Sequence, residues 1–196
     1  MKKRIIAINR KTSETDIKIS LNLDGTGKSA VNTGIGFLDH MFTLFARHGM
    51  LDLNLNAKGD LHVDYHHTTE DIGIILGEAI NMALGDKKGI NRYGYSIVPM
   101  DESLVLVSLD ISGRPFLNYD VKIRQKKIGD FPVDLIEEMF RAVTIKAGIT
   151  LHIKLLDGKE AHHICECVFK AFAKTLRTAV DKNPRDKKVP STKGII

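Results

Sequence analysis

Two rhythms of apolar and polar positions run along the chain. Arg4–Asn9 and Asp16–Asn22 alternate at every second residue, as half-buried strands do, with a polar Lys11–Thr15 turn between them. After a turn at Asp24–Gly27 the rhythm lengthens. Phe37, Met41 and Phe45 recur at every fourth position and predict a helix over Gly36–His48, with Gly49 as its natural stop. Strands are expected at Leu51–Asn56 and Asp60–Asp64. A second helix follows from Thr68 to Leu84, burying Ile72, Ile75, Leu76, Ala79, Ile80 and Ala83. Gly73 and Gly77 weaken that helix intrinsically, so its stability must come from packing.

The second half repeats the order. Gly94–Pro99, Ser103–Asp110 and Phe116–Ile123 read as strands, Val133–Ala147 as a helix and Ile149–Leu155 as a strand. After a turn at Asp157–Gly158, a helix over Ala161–Val180 carries Cys165, Phe169, Phe172 and Leu176 as its apolar stripe. Individual residues align as well. Asp39-His40-Met41-Phe42 corresponds to Glu137-Glu138-Met139-Phe140, and His66-His67-Thr68-Thr69-Glu70 to His162-His163-Ile164-Cys165-Glu166. The expected architecture is α+β: an internally duplicated unit, each half a mixed β-sheet with two helices packed on one face. Residues 1–88 would form the first half and 89–182 the second, both in one compact domain, with 183–196 as a basic tail.

Composition narrows the function classes. The net charge of +5 is concentrated at the end: from Lys182 onward five basic residues face a single acid, Asp186. The rest of the chain is nearly neutral, which argues against a nucleic-acid-binding face. No apolar run is long enough to span a membrane. The two cysteines, Cys165 and Cys167, are one residue apart on a helix and cannot close a useful disulfide, in keeping with a reducing cytoplasm.

Five of the eight histidines lie in the repeated frame: His40, His66, His67, His162 and His163. In the His-His-x-x-Glu motif the first histidine is four residues and the second three from the glutamate, so either can share a helical face with it. Adjacent histidines diverge by roughly 100° around a helix, so they suit two different ions better than one. A single copy is equally well explained by surface histidines beside a helix-starting acid. Two copies in register at the same place of a repeat are not. Imidazole and carboxylate suit Mn, Fe, Co, Ni or Zn, and the lack of thiolate ligands disfavours a structural zinc site. Lys170, four residues past Glu166, would be costly beside metal ligands unless an anion such as a substrate phosphate accompanied it. Arg92, Arg114, Ser191 and Lys193 are further anion donors, and none is specific alone. Glu14, in the first turn, is by itself as readily a solvated acid as a functional one. His48, His62 and His152 are expected to be structural or solvated.

Taken in order, Gly34-Ile35-Gly36-Phe37-Leu38-Asp39-His40-Met41, Asp64-Tyr65-His66-His67-Thr68-Thr69-Glu70-Asp71, Ser112-Gly113-Arg114-Pro115-Phe116, His162-His163-Ile164-Cys165-Glu166 and Pro190-Ser191-Thr192-Lys193-Gly194 resemble the imidazoleglycerol-phosphate dehydratases of histidine biosynthesis along nearly the whole chain. The resemblance implies a lyase that removes water from imidazoleglycerol phosphate to give imidazoleacetol phosphate. It implies two Mn2+ sites per active site, the substrate imidazole serving as electron sink in its imidazolate form. One site would use His40, His67, Glu70 and His163. The other would use His66, His162 and Glu166 with a fourth ligand at Glu138, where some family members have histidine. The resemblance further implies substrate contacts by Glu14, which would move protons, and by Arg92, Arg114, Lys170, Ser191 and Lys193. It also implies a homo-oligomer of 24 subunits with ligands meeting between chains. The residues alone leave two other classes open: a binuclear metal hydrolase of a phosphorylated substrate, and a non-catalytic oligomer cemented by metals.

Overall fold

The computed structural model describes residues 4–196. The first half comprises β1 (Ile5–Lys11), β2 (Thr15–Asn22), β3 (Ser29–Asn32), α1 (Gly36–Gly49), β4 (Asp52–Gly59) and α2 (His66–Leu84). The second comprises β5 (Tyr93–Met100), β6 (Ser103–Asp110), β7 (Phe116–Asp120), a small hairpin β8 (Lys127–Ile128) and β9 (Phe131–Pro132), α3 (Leu135–Ala147), β10 (Thr150–Asp157) and α4 (Ala161–Val180).

The two sheets have one topology. Their strand orders are β1-β2-β4-β3 and β5-β6-β10-β7. In each, the first three strands in that order pair antiparallel and the last joins parallel. The parallel pairs β3/β4 and β7/β10 need a crossover, and α1 and α3 supply it. Inward-facing Ile17, Ile19 and Leu21 of β2 pair with Ala57, Leu55 and Leu53 of β4; Val105, Val107 and Leu109 of β6 pair with Leu155, Ile153 and Leu151 of β10. This alternation puts one face of each sheet in the core and leaves the other in solvent. Helices α2 and α4 pack on the buried faces, and the halves mesh through α2 on α3 and α1 on α4.

The two meshings differ in chemistry. A Cβ on Gly73 or Gly77 would lie 2.5 Å from the Met139 carbonyl oxygen or 2.6 Å from that of Val143, so the glycines of α2 let α3 approach closely. At α1/α4 the contact is aromatic: Phe42 meets Phe169 edge-on at 5.8 Å and Phe45 stacks on Phe172 at 5.6 Å.

Several local expectations give way. Asp60–Asp64 is a turn closed by the Val63 N–H on the Asp60 carbonyl, with Leu61 packed against the core and Val63 exposed. Helix α2 starts two residues early, so both histidines sit in its first turn. Strand β3 was masked by the turn-like composition of Lys28, Ser29 and Asn32, and β7 ends at Asp120 rather than Ile123. The residue that ends α1 in the left-handed conformation is Met50 (φ 52), not Gly49; Gly148 (φ 65) does the same for α3.

Candidate metal centre

Acidic side chains fix the backbone at or near the starts of the three helices that carry the histidines from the repeat, although only α4 has one at its N-cap. The Glu160 carboxylate accepts from the His163 N–H at 2.7 Å and caps α4. Asp64 accepts from the His66 N–H at 2.7 Å ahead of α2. Asp39, in the first turn of α1, accepts from the Thr33 N–H and hydroxyl at 2.7 and 2.6 Å, tying His40 to the end of β3.

The contact of α1 with α4 then brings three donors together. His40 Nε2 lies 2.9 Å and His162 Nε2 3.0 Å from Glu166 Oε1, and all three atoms fall within 4.8 Å of one another. Glu166 is nearly buried, and its Oε2 accepts from Lys170 Nζ at 2.6 Å. Burial pushes this carboxyl upward, but Lys170, His40 and His162 outweigh it and hold its pKa down to about 2. Two imidazole nitrogens and an ionised carboxylate oxygen facing one point are a donor set that fits a divalent transition ion. Lys170 has Glu166 itself as its anionic partner.

The repeat-related group in the first half is looser. His66 Nε2 stands 3.8 Å from Glu70 Oε2, and Glu70 and Glu138 line the same groove between α2 and α3, with Arg141 Nε 3.5 Å from Glu138 Oε2. The second histidines face hairpin and loop acids. His67 Nδ1 donates to Asp60 at 2.9 Å while its Nε2 is 3.9 Å from Glu14. His163 Nδ1 donates to Glu102 at 2.9 Å while its Nε2 is 3.8 Å from Asp101. Asp60 and Glu102 raise the pKa of their imidazoles, and their own carboxyls are lowered in return. Within one chain, therefore, His40 stands with His162 and Glu166, and Glu138 with Glu70. The resemblance instead groups His40 with His67, Glu70 and His163.

Apart from Lys170, the anion donors lie near one end of the second sheet, where Asp110 meets both Arg92 and Arg114. Arg92 is bidentate to Asp110 (2.7 and 3.1 Å), and its third nitrogen donates to the Pro190 carbonyl at 2.8 Å, so it anchors the tail. Arg114 is largely exposed, 3.9 Å from Asp110, and Ser191 Oγ accepts from the Lys193 N–H at 3.2 Å. The cysteines take no part: burial pushes Cys165 up to about 12 and Cys167 up to about 11.

An aromatic chain joins the starts of α2 and α4 by way of α1. Tyr65 stacks on Phe131 at 6.3 Å, Phe131 meets Phe37 at 5.1 Å, and Phe37 meets His162 edge-on at 5.7 Å. Phe131, Asp60, Asp101, Glu102 and Asp110 all escaped the sequence reading. A signal existed for Glu102, because the β5–β6 turn occupies the same repeat position as the turn that carries Glu14.

This arrangement has close counterparts. The family model for imidazoleglycerol-phosphate dehydratase matches residues 33–176. The chain is 56% identical to the imidazoleglycerol-phosphate dehydratase of Acetivibrio thermocellus, covering 98% of this chain and 99% of that one. It is 54% identical to that of Desulforamulus reducens over the full length of both. Among solved structures, imidazoleglycerol-phosphate dehydratase from Staphylococcus aureus superimposes with a TM-score of 0.83 at 44% identity, covering 91% of this chain and 99% of the other. The Pyrococcus furiosus protein gives 0.83 at 40% identity, covering 96% and 100%. With matches of this extent over a duplicated fold that gathers the repeated histidines and glutamates, the chain belongs to the imidazoleglycerol-phosphate dehydratase family.

Proposed function

We propose that this chain is a metal-dependent hydro-lyase that converts imidazoleglycerol phosphate to imidazoleacetol phosphate in histidine biosynthesis, in the cytoplasm. The observation that carries the reading is the convergence of His40, His162 and Glu166, in a chain whose full-length relatives are dehydratases. Mn2+ is the proposed ion, at two sites per active site. His40, His66, His67, Glu70, Glu138, His162, His163 and Glu166 are the residues that would hold it. Because the repeat groups within one chain differ from the family division, the complete sites would draw on neighbouring subunits of a homo-oligomer, proposed at 24 copies.

A divalent ion held by these residues would supply Lewis acidity toward the substrate's imidazole ring. The side chains do the rest. Glu14, on a hairpin turn 3.9 Å from His67, would move protons to or from the substrate. Arg92 fixes the tail so that Ser191 and Lys193 can close on the phosphate with Arg114, while Lys170 keeps Glu166 ionised. Incubation of the Mn2+-loaded protein with imidazoleglycerol phosphate should yield imidazoleacetol phosphate and no inorganic phosphate. Phosphate release in its place would mean a hydrolase. Chelation should abolish turnover and give smaller species in sedimentation; metal-dependent assembly without turnover would leave only a cementing role for the metal.

A further inference from the structure

We propose that Asp60 and Glu102 are positioning residues that fix the tautomer and direction of His67 and His163, so that both rings offer Nε2 to a divalent cation. This rests on the proposed role of the two histidines as ligands. A carboxylate can only accept, so a ring held through Nδ1 at 2.9 Å carries its proton there and leaves the Nε2 lone pair outward. Each outward nitrogen has a second acid nearby, Glu14 at 3.9 Å and Asp101 at 3.8 Å.

The orienting acids are not repeat copies of each other. Asp60 follows β4, whereas Glu102 lies in the β5–β6 turn, the repeat position of Glu14. Two acids from unrelated positions reach the same nitrogen of repeat-related histidines, a coincidence that duplication does not explain. Glu102 is itself braced, with Oε1 accepting from the Glu160 N–H at 2.9 Å and the Ser103 hydroxyl at 3.1 Å. By contrast His40 and His162 turn Nε2 directly to Glu166.

The test uses the full-length protein, stripped of metal and held at one protomer concentration throughout, because assembly shifts apparent affinity. Mn2+ affinity is measured by titration calorimetry for Asp60→Ala, Glu102→Ala, Glu102→Gln, His67→Ala and His163→Ala. In parallel, 15N-histidine NMR of the metal-free wild type, at a pH where the rings are neutral, reads the tautomers. The Ala variants of the two acids should bind Mn2+ roughly ten- to a hundredfold more weakly. Glu102→Gln, whose amide oxygen can still accept from Nδ1–H, should fall in between, and both wild-type rings should be protonated at Nδ1. Wild-type affinity in both acid variants, with loss in the histidine variants, overturns the positioning role and leaves the ligand reading standing. Wild-type affinity in the histidine variants overturns the ligand reading and this inference with it. If an Ala variant fails to fold, Glu102→Gln and the tautomer decide, and a ring protonated at Nε2 sinks the proposal.

Discussion

The two halves share a backbone plan, yet at matched positions they hold it together with different chemistry. In the first, Asp71 of α2 clasps the β1–β2 hairpin by accepting from Arg10 Nε at 2.9 Å and the Thr15 hydroxyl at 2.5 Å. In the second, the corresponding residue of α4 is Cys167, whose thiol reaches the Val98 and Ser103 carbonyls of the β5–β6 hairpin at 3.4 and 3.7 Å. Repeat-related side chains have also divided their labour. Glu14 projects from its hairpin toward His67, while its counterpart Glu102 is pinned among backbone amides and His163. Arg4 and Arg92 make the same fork, bidentate to Asp24 and Asp110, each with a third bond to a carbonyl. Arg4 holds Val180 at the end of α4, and Arg92 holds Pro190 of the tail. The repeat thus keeps the arginine of the fork while its carboxylate shifts, since strand register makes Asn22, not Asp24, the counterpart of Asp110.

The sharpest way to break this comparison is to remove both clasps. Asp71→Ala strands Arg10 and the Thr15 hydroxyl and should cost roughly 3 kcal/mol in urea unfolding of the metal-free protein. Cys167→Ala removes only weak sulfur contacts and a little packing, about 1 kcal/mol. Protomer concentration must be the same in both measurements, since assembly shifts apparent stability. Equal losses would mean that the charged clasp holds no more than the thiol one.

A smaller effect probes the first-half fork by pH. The Arg4 guanidinium holds the Asp24 carboxyl below its ordinary range, against a smaller opposing push from burial. A depressed folded value stabilises above the unfolded value of about 3.9, and that contribution disappears as pH falls through the folded one. With Asp24 more than half exposed, Asp24→Asn should cost about 1 kcal/mol or less at pH 7. The gap from wild type should close on acidification below about pH 4. A gap that stays constant to pH 3 would show that charge plays no part in the fork.

The smallest effect concerns the helix ends. Met50 and Gly148 occupy equivalent left-handed positions, where a side chain is disfavoured. Gly148→Ala should destabilise by about 1 kcal/mol and Met50→Gly should stabilise by about 0.5 kcal/mol, read as opposite shifts of the urea midpoint. Shifts of the same sign would show that contacts of the Met50 side chain outweigh its backbone strain.

These contrasts mark what was legible in the sequence. Strand alternation and helical spacing are local signals, so the paired halves, the four helices and the recurring His and Glu positions could be read directly. Partnerships between elements could not. The bond from His163 to Glu102 spans 61 residues and that from His40 to Glu166 spans 126, and no local period encodes either. Arg92 read as a free anion donor because its sequence neighbours are loop-like, whereas the fold supplies Asp110 as its partner. Repeat alignment by identity also missed Asp71 and Cys167, because the clasp is kept while its chemistry changes.

The stacking of Tyr65 on Phe131 has a practical consequence. The chain has no tryptophan and four tyrosines. Tyr93 and Tyr95 lie exposed on the second sheet and Tyr119 is packed against Phe140, which leaves Tyr65 as the chromophore adjoining His66. Near-ultraviolet dichroism of the unlabelled protein therefore carries a built-in optical signal from the histidine-bearing end of α2. A change at that helix start during a metal titration would register there without a dye, above a background from buried Tyr119.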